Sequence, residues 1–261
     1  MRKIGINLYA RSDIAMEEYV RIVKELGFDS VFCVVRTPEV MHETTELLTK
    51  VGLSYDTLHA PFRGMNDLWY AGEAGDAKYT ELINCVNVCA EVEAPIAVVH
   101  LSSGIEHTPP TDVGRGRVSD LVNYAVGKGV SIAFENTRKL ANLAWAFEEF
   151  SGVNNVGFCY DSGHEACFTP GREYLPIFGD RMVCTHIHDN DCIKDLHLLP
   201  FDGKIDFDRV TNQIRKSGYQ GTLMLEVSGG KEIYQHLTAE DFLKQAASIA
   251  KRLREMIDIT E

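Results

Sequence analysis

The stretch VSIAFENTRKLANLAWAFEEFSGVNNVGFCYD, residues 130–161, decides how this chain folds. Residues 130–136 form a mostly apolar run that suits a buried strand. Residues 139–150 follow a helical pattern, and residues 155–161 read as a second strand. A strand, a helix and another strand make one βαβ unit.

The same alternation runs along the whole sequence. Further strand-like runs lie at 3–9, 29–35, 53–60, 95–101, 182–188 and 221–227. Ser12 caps the first helix, which runs to a stop at Gly27. Pro38 begins a second, with Gly52 after it. Other helices are expected near 76–92, 117–128, 172–178, 206–217 and 238–257. Eight strands in 261 residues give 261/8, about 33 residues per unit, which suits a βα repeat. Strict alternation implies a parallel sheet with right-handed crossovers. Eight units favour closure into a single (β/α)8 barrel, and the absence of any linker makes residues 1–261 one domain. The alternative is a doubly wound open sheet. That fold usually carries a Gly-rich phosphate turn after its first strand, where this chain has YARSD, residues 9–13. Two connections, 61–75 and 102–116, are long enough to cover a pocket.

Composition narrows the function classes. The chain is 45% hydrophobic and 25% charged, with a formal net charge of -12. That balance disfavours a large nucleic-acid surface and an anionic membrane. The first residues, MRKIGINLYARSD, resemble neither a signal nor a transit peptide, and no run reaches the length of a membrane span. The seven cysteines form no paired framework, and CVNVC, Cys85 to Cys89, lies within a helical pattern. Reduced thiols and a cytoplasmic location are expected.

The reactive residues gather at strand ends. Strand 3 ends at His59, strand 4 at His100, strand 5 at Glu135, strand 6 at Asp161, strand 7 at His188 and strand 8 at Glu226. Side chains alternate along a strand. Glu135 therefore shares a face with Ala133, opposite Phe134, and Asp161 lies opposite Tyr160. The apolar face packs on helices, so the ligand-type face points at the barrel axis, at the C-terminal mouth where such barrels place their chemistry. A lone histidine at a strand end is more often a satisfied polar residue than a ligand. Six His, Asp or Glu residues converging on one mouth need compensation, and divalent ions supply it. Mixed nitrogen and oxygen donors suit zinc, manganese or iron.

The segment HIHDNDCIKDLH, residues 186–197, adds more. His186 shares the face of His188 one layer deeper, as a supporting or substrate-binding group. Asp195 and His197 could hold a second metal or form polar loop. His164 follows Asp161 by three residues and could return to the same site. His42, His107 and His236 fall outside the pattern and read as surface residues.

These residues resemble the xylose isomerase-like barrel superfamily, which includes endonuclease IV and many sugar isomerases and epimerases. The resemblance rests on HAPF (59–62), VVH (98–100), FEN (134–136), DSGH (161–164), HIHDND (186–191), DLH (195–197), PFDGKIDF (200–207) and LEV (225–227). It implies one divalent metal, manganese or zinc, held by Glu135, Asp161, His188 and Glu226. It also implies that Glu135 and Glu226 act as acid and base on a keto sugar, through an enediolate, with His164 contacting the substrate. Endonuclease IV holds three zinc ions with nine ligands. Each has a counterpart here: His59, His100, Glu135, Asp161, His164, His188, Asp195, His197 and Glu226. One ion is expected, and three is the upper limit.

The sequence departs from the family in three ways. Phe201 stands where the family often has glycine, the spacing from His188 to Asp195 is only seven, and no basic, aromatic run lines the mouth loops. Arg63, Trp69 and Tyr70 make a thin version of such a surface. The expected function is a metal-dependent isomerase or epimerase of a keto sugar or sugar phosphate. Loops carrying Trp69 and Lys194 would close over the sugar, and Arg63 or Lys194 would hold a phosphate. The alternative is a multi-zinc phosphodiesterase acting on abasic DNA. A related lyase and a sugar-binding barrel without turnover complete the set. The expected partner is a small sugar, and homo-oligomerisation is left open.

Overall fold

The computed structural model describes residues 1–106 and 108–258. His107, read above as a surface residue, lies outside them. Eight strands form the inner layer: β1 (Ile4–Asn7), β2 (Ser30–Val34), β3 (Tyr55–His59), β4 (Ile96–Val99), β5 (Ser131–Glu135), β6 (Val156–Asp161), β7 (Met182–His186) and β8 (Leu223–Leu225). All neighbours pair in parallel, in the order β7-β6-β5-β4-β3-β2-β1-β8. The two ends of that order meet through a bridge between Ile187 and Leu225. Ile187 N–H donates to the Met224 carbonyl at 2.8 Å, and Glu226 N–H donates to the Ile187 carbonyl at 3.1 Å. The sheet therefore closes on itself as a (β/α)8 barrel, and the open-sheet alternative falls.

The pleat divides the core as alternation requires. Val98, Ala133, Cys159 and Cys184 are wholly buried inside the barrel. Phe134, Phe158 and Tyr160 belong instead to the larger core outside it, under the helices. These four small residues fill one layer of the lumen, where a closed eight-stranded barrel leaves little room.

The helices are α1 (Met16–Glu25), α2 (Pro38–Val51), α3 (Glu73–Glu91), α4 (Asp112–Lys128), α5 (Leu140–Glu149), α6 (Ser162–Phe168), α7 (Leu175–Phe178), α8 (Phe207–Lys216) and α9 (Ala239–Asp258). Pro38 opens α2 and Gly52 closes it with a φ of 71°, as the sequence implies. Three helices differ from expectation. The first starts at Met16 after Ala15, so Ser12 does not cap it. The fourth starts at Asp112, because the Thr111 side chain accepts from Gly114 N–H at 3.2 Å and shortens the preceding loop. The helix expected at 172–178 is replaced by two short ones. Asp161 caps α6 directly by accepting from His164 N–H at 2.6 Å, and Gly171, with a φ of 80°, separates it from α7. Among the described residues, no helix is long and apolar enough to cross a membrane.

Candidate metal centre

Parallel register brings the acidic strand ends together. Asp161 is the register partner of His186 across β6 and β7. Glu135, at the end of β5, and Glu226, just after β8, reach the same imidazole. His186 Nδ1 lies 3.4 Å from Glu135 Oε2 and 3.2 Å from Glu226 Oε2. One donor atom from each of Glu135, Asp161, His186 and Glu226 lies within 4.8 Å of all the others.

This quartet differs from the expected one by one residue. Strand 7 ends at His186, not His188. His188 stands one pleat further along, with Nε2 3.2 Å from Asp161 and 3.6 Å from Asp195, and its ring stacks on His197 at 4.1 Å. Its room comes from Gly163, where a Cβ would sit 1.8 Å from His188 Cε1.

Two further donor sets share the mouth. His59 Nε2, His100 Nε2 and Glu135 Oε2 form a triangle with sides of 3.2, 3.1 and 3.1 Å. Beyond it, Asp195 Oδ2 lies 3.4 Å from His164 Nε2 and 3.3 Å from His197 Nε2. The histidine tautomers can be assigned from their other nitrogens. His59 Nδ1 lies 2.6 Å from the Ala60 carbonyl, His164 Nδ1 3.0 Å from the Asn136 carbonyl, and His197 Nδ1 3.1 Å from the Glu226 carbonyl. A carbonyl only accepts, so each Nδ1 carries a hydrogen. In the neutral ring, Nε2 then aims a lone pair at a carboxylate. That arrangement is repulsive until a proton or a cation lies between them. A tetrahedral zinc site with bonds of about 2.0 Å has ligand–ligand edges of roughly 3.3 Å, close to the observed triangle. Among the described residues, buried Glu135 Oε1, both nitrogens of His186 and Asp195 Oδ1 have no hydrogen-bond partner. The donor types, tautomers and unpartnered atoms all fit divalent ions.

Without a cation, protons take its place. Burial opposes charge on His186, yet the Glu226 and Glu135 carboxylates outweigh it and push the ring up to about 10. Burial likewise opposes charge on His197, but its hydrogen bond to Asp195 and the charge of Glu226 push it up to about 9. His164 is raised well above the usual range, because Asp161, Asp195 and Glu135 overcome burial. Glu135 is held well below the carboxylate range despite burial, through His100 and His186. His100 alone is lowered, chiefly by burial.

A model of the xylose isomerase-like TIM barrel family matches residues 20–259. The chain belongs to that family. An uncharacterized protein of Sinorhizobium fredii, y4fM, is 28% identical, over 94% of this chain and 90% of its own length. A structure described as a D-tagatose 3-epimerase-like protein is 21% identical with a TM-score of 0.75, covering 98% of both chains. A D-psicose 3-epimerase with D-tagatose, from Clostridium cellulolyticum H10, is 15% identical with a TM-score of 0.76, covering 99% of this chain and 100% of that one. At these identities the two structures bear on the fold.

In this member of the family, the donors open onto a cavity of about 210 Å³. Phe62, Ser102, Thr137, Arg138 and Phe168 line it beside His59, His100, Glu135, His164, Asp195, His197 and Glu226. Four residues expected at the substrate do not line it. His186 is wholly buried beneath the carboxylates that do. Trp69 is wholly buried; its Nε1–H donates to the Leu101 carbonyl at 2.8 Å and its ring packs edge-on against Trp145. It is core, not lid. Arg63 and Lys194 are exposed and do not line the cavity. Arg138, Phe62 and Phe168 went unnoticed in the sequence, although Arg138 directly follows the FEN motif and a threonine.

The supporting shell explains the motifs. Asn136 ties β5 to β6, donating to the Asp161 carbonyl and accepting from Asp161 N–H, both at 2.8 Å. Asp189 is buried and accepts four backbone N–H bonds, from Asn190 at 2.7 Å, Gly203 at 2.9 Å, and Phe201 and Ile205 at 3.0 Å. It shapes the loop that carries Asp195 and His197 back to the mouth. Phe201 takes a φ of 77°, in the left-handed region that glycine enters most easily.

Proposed function

We propose that the protein is a divalent-metal-dependent isomerase or epimerase of a keto sugar or sugar phosphate. The observation that carries this reading is the convergence of Glu135 and Glu226, from β5 and from beyond β8, on one imidazole at the floor of a monosaccharide-sized cavity. Glu135, Asp161, His186 and Glu226 would hold the ion. A bound divalent ion supplies Lewis-acid stabilisation of the charge that develops on the sugar oxygens. Glu226 is partly open to the cavity and can take a proton from the carbon beside the carbonyl, while Glu135 can return one. His164, its Nδ1 pinned by the Asn136 carbonyl, presents Nε2 toward the cavity. Phe62 and Phe168 form apolar walls that limit water at the reacting carbon. The similarity in fold to sugar 3-epimerases supports the same reading.

The test is deuterium wash-in from solvent into a bound ketose. Glu135→Gln and Glu226→Gln are each expected to abolish it while the protein stays folded. Wash-in that survives both changes overturns the two-glutamate mechanism.

One observation favours a second reading. The His59, His100 and Glu135 triangle and the His164, Asp195 and His197 set would give three ions in all, as a multi-zinc phosphodiesterase requires. The net charge of -12 and a cavity of about 210 Å³ count against a DNA substrate. Three zinc ions per chain together with strong nicking of an abasic duplex would establish this second reading. About one ion per chain and no nicking would favour the isomerase.

A further inference from the structure

The mouth contains one guanidinium that the chemistry above does not use. Among the described residues, Arg138 is the one arginine or lysine that lines the cavity, three residues after Glu135. Three residues of chain span at most about 11 Å, so the arginine and the donor cluster can address one small molecule. Among the described residues, Arg138 makes no hydrogen bond and no ion pair. Lys139 beside it is engaged, donating to the Ile105 carbonyl at 2.9 Å. The acidic residues of the mouth already face histidines, so Arg138 does not neutralise them.

The arginine is nevertheless held in place. Its guanidinium carbon lies 3.4 Å from the centroid of the Phe168 ring, and that ring stacks on His164 at 4.5 Å. Stacking on a ring occupies the face of a guanidinium and leaves its edge N–H donors free, in the fork geometry that matches a carboxylate or a phosphate. A half-buried cation with its donors unused, beside a cavity, lacks an anion.

We propose that Arg138 receives an anionic group of the substrate, a carboxylate or a phosphate, so that the sugar turned over is acidic rather than neutral. This rests on the ketose reading of the same site. It moves the anion contact from Arg63 and Lys194, which stand outside the cavity, to a residue that lines it.

The test compares fructose, fructose 6-phosphate and 5-ketogluconate on the metal-loaded protein. Deuterium wash-in gives kcat/KM for each, and calorimetry gives the affinity of the two acids. One acid should exceed fructose by about 10- to 100-fold in kcat/KM, the range of a charge-assisted contact, and the winner identifies the group. Arg138→Ala should collapse that ratio to within about threefold, and Arg138→Lys should restore part of it. Arg138→Gln carries the test if the alanine variant does not fold. A preference for fructose over both acids overturns the proposal. So does acid binding that is absent, or unchanged in the variants. Acid binding that depends on Arg138, without wash-in on any of the three sugars, supports the anion site and overturns the ketose chemistry instead.

Discussion

His186 Nδ1 lies 3.2 Å from Oε2 of Glu226, although one residue ends β7 and the other stands beyond β8. The barrel closes between those two strands, through Ile187 and Leu225, so the contact depends on closure. It also separates the roles of two histidines that alternation cannot distinguish. His186→Ala removes a member of the four-donor set, and metal affinity should fall by more than about 100-fold, with loss of activity. His188→Ala leaves that set complete and removes a group that orients Asp161 and Asp195, so affinity should fall by only about 10-fold. Competition against a fluorescent chelator measures both. The reverse order of effects would return His188 to the quartet.

Metal binding should displace protons. In the metal-free chain His186 is pushed up to about 10 and His197 up to about 9, both above the ordinary value of about 6.5. A raised histidine stabilises the fold fully below its unfolded value and loses that contribution as pH climbs through the folded one. The chelated protein should therefore lose thermal stability between about pH 7 and about pH 10. Ligation requires a neutral imidazole, so ion uptake near pH 7.5 should release about one proton from His186 or more. Calorimetry in buffers of different ionisation enthalpy reads the number directly. Zero release would mean that His186 is already neutral in the free site.

Trp69 should prove structural. Its ring is wholly buried, and Gly114 on α4 makes the space: a Cβ there would meet Trp69 Cε3 at 2.2 Å. Trp69→Ala should cost about 3–5 kcal/mol of stability by urea unfolding. Trp69→Phe should stay folded with KM for the sugar within about twofold of wild type, as expected of a residue outside the cavity. A large rise in KM at unchanged stability would reinstate a role at the substrate.

How much of this was legible in the sequence depends on the physics behind each feature. The inward placement of Glu135 and Asp161 was legible because a parallel barrel is covered outside by helices, so Phe134 and Tyr160 had to face outward. The choice between His186 and His188 was not, since both lie on one face. Only the register of β7 against β6, with a shift between Phe158 and Cys159, sets Asp161 beside His186. Trp69 looked like a lid because its loop is long, and nothing local shows that Gly114, 45 residues later, vacates a socket for it. Arg138 escaped notice because a guanidinium in a loop reads as solvated surface until Phe168 is placed beneath it.

Asp189 poses the last test, because its carboxylate holds a loop rather than a ligand. Its oxygens accept four backbone N–H groups, and its own backbone pairs with Leu198 in both directions at 2.8 and 2.9 Å. Gly203 packs against it so closely that a Cβ would fall 2.4 Å from Asp189 Oδ1. The segment so anchored carries Asp195 and His197 to the mouth. Asp189→Ala would leave buried donors unpaired, at a cost of about 3–5 kcal/mol. Asp189→Asn keeps the shape and loses the charge, and should cost about half as much. Because Asp195 and His197 belong to a different donor set from the quartet, either variant that still folds should keep its tightest ion while losing affinity at any weaker one. Urea midpoints and stepwise chelation separate the two effects. Equal loss of every ion would show that the loop and the quartet form a single cooperative unit.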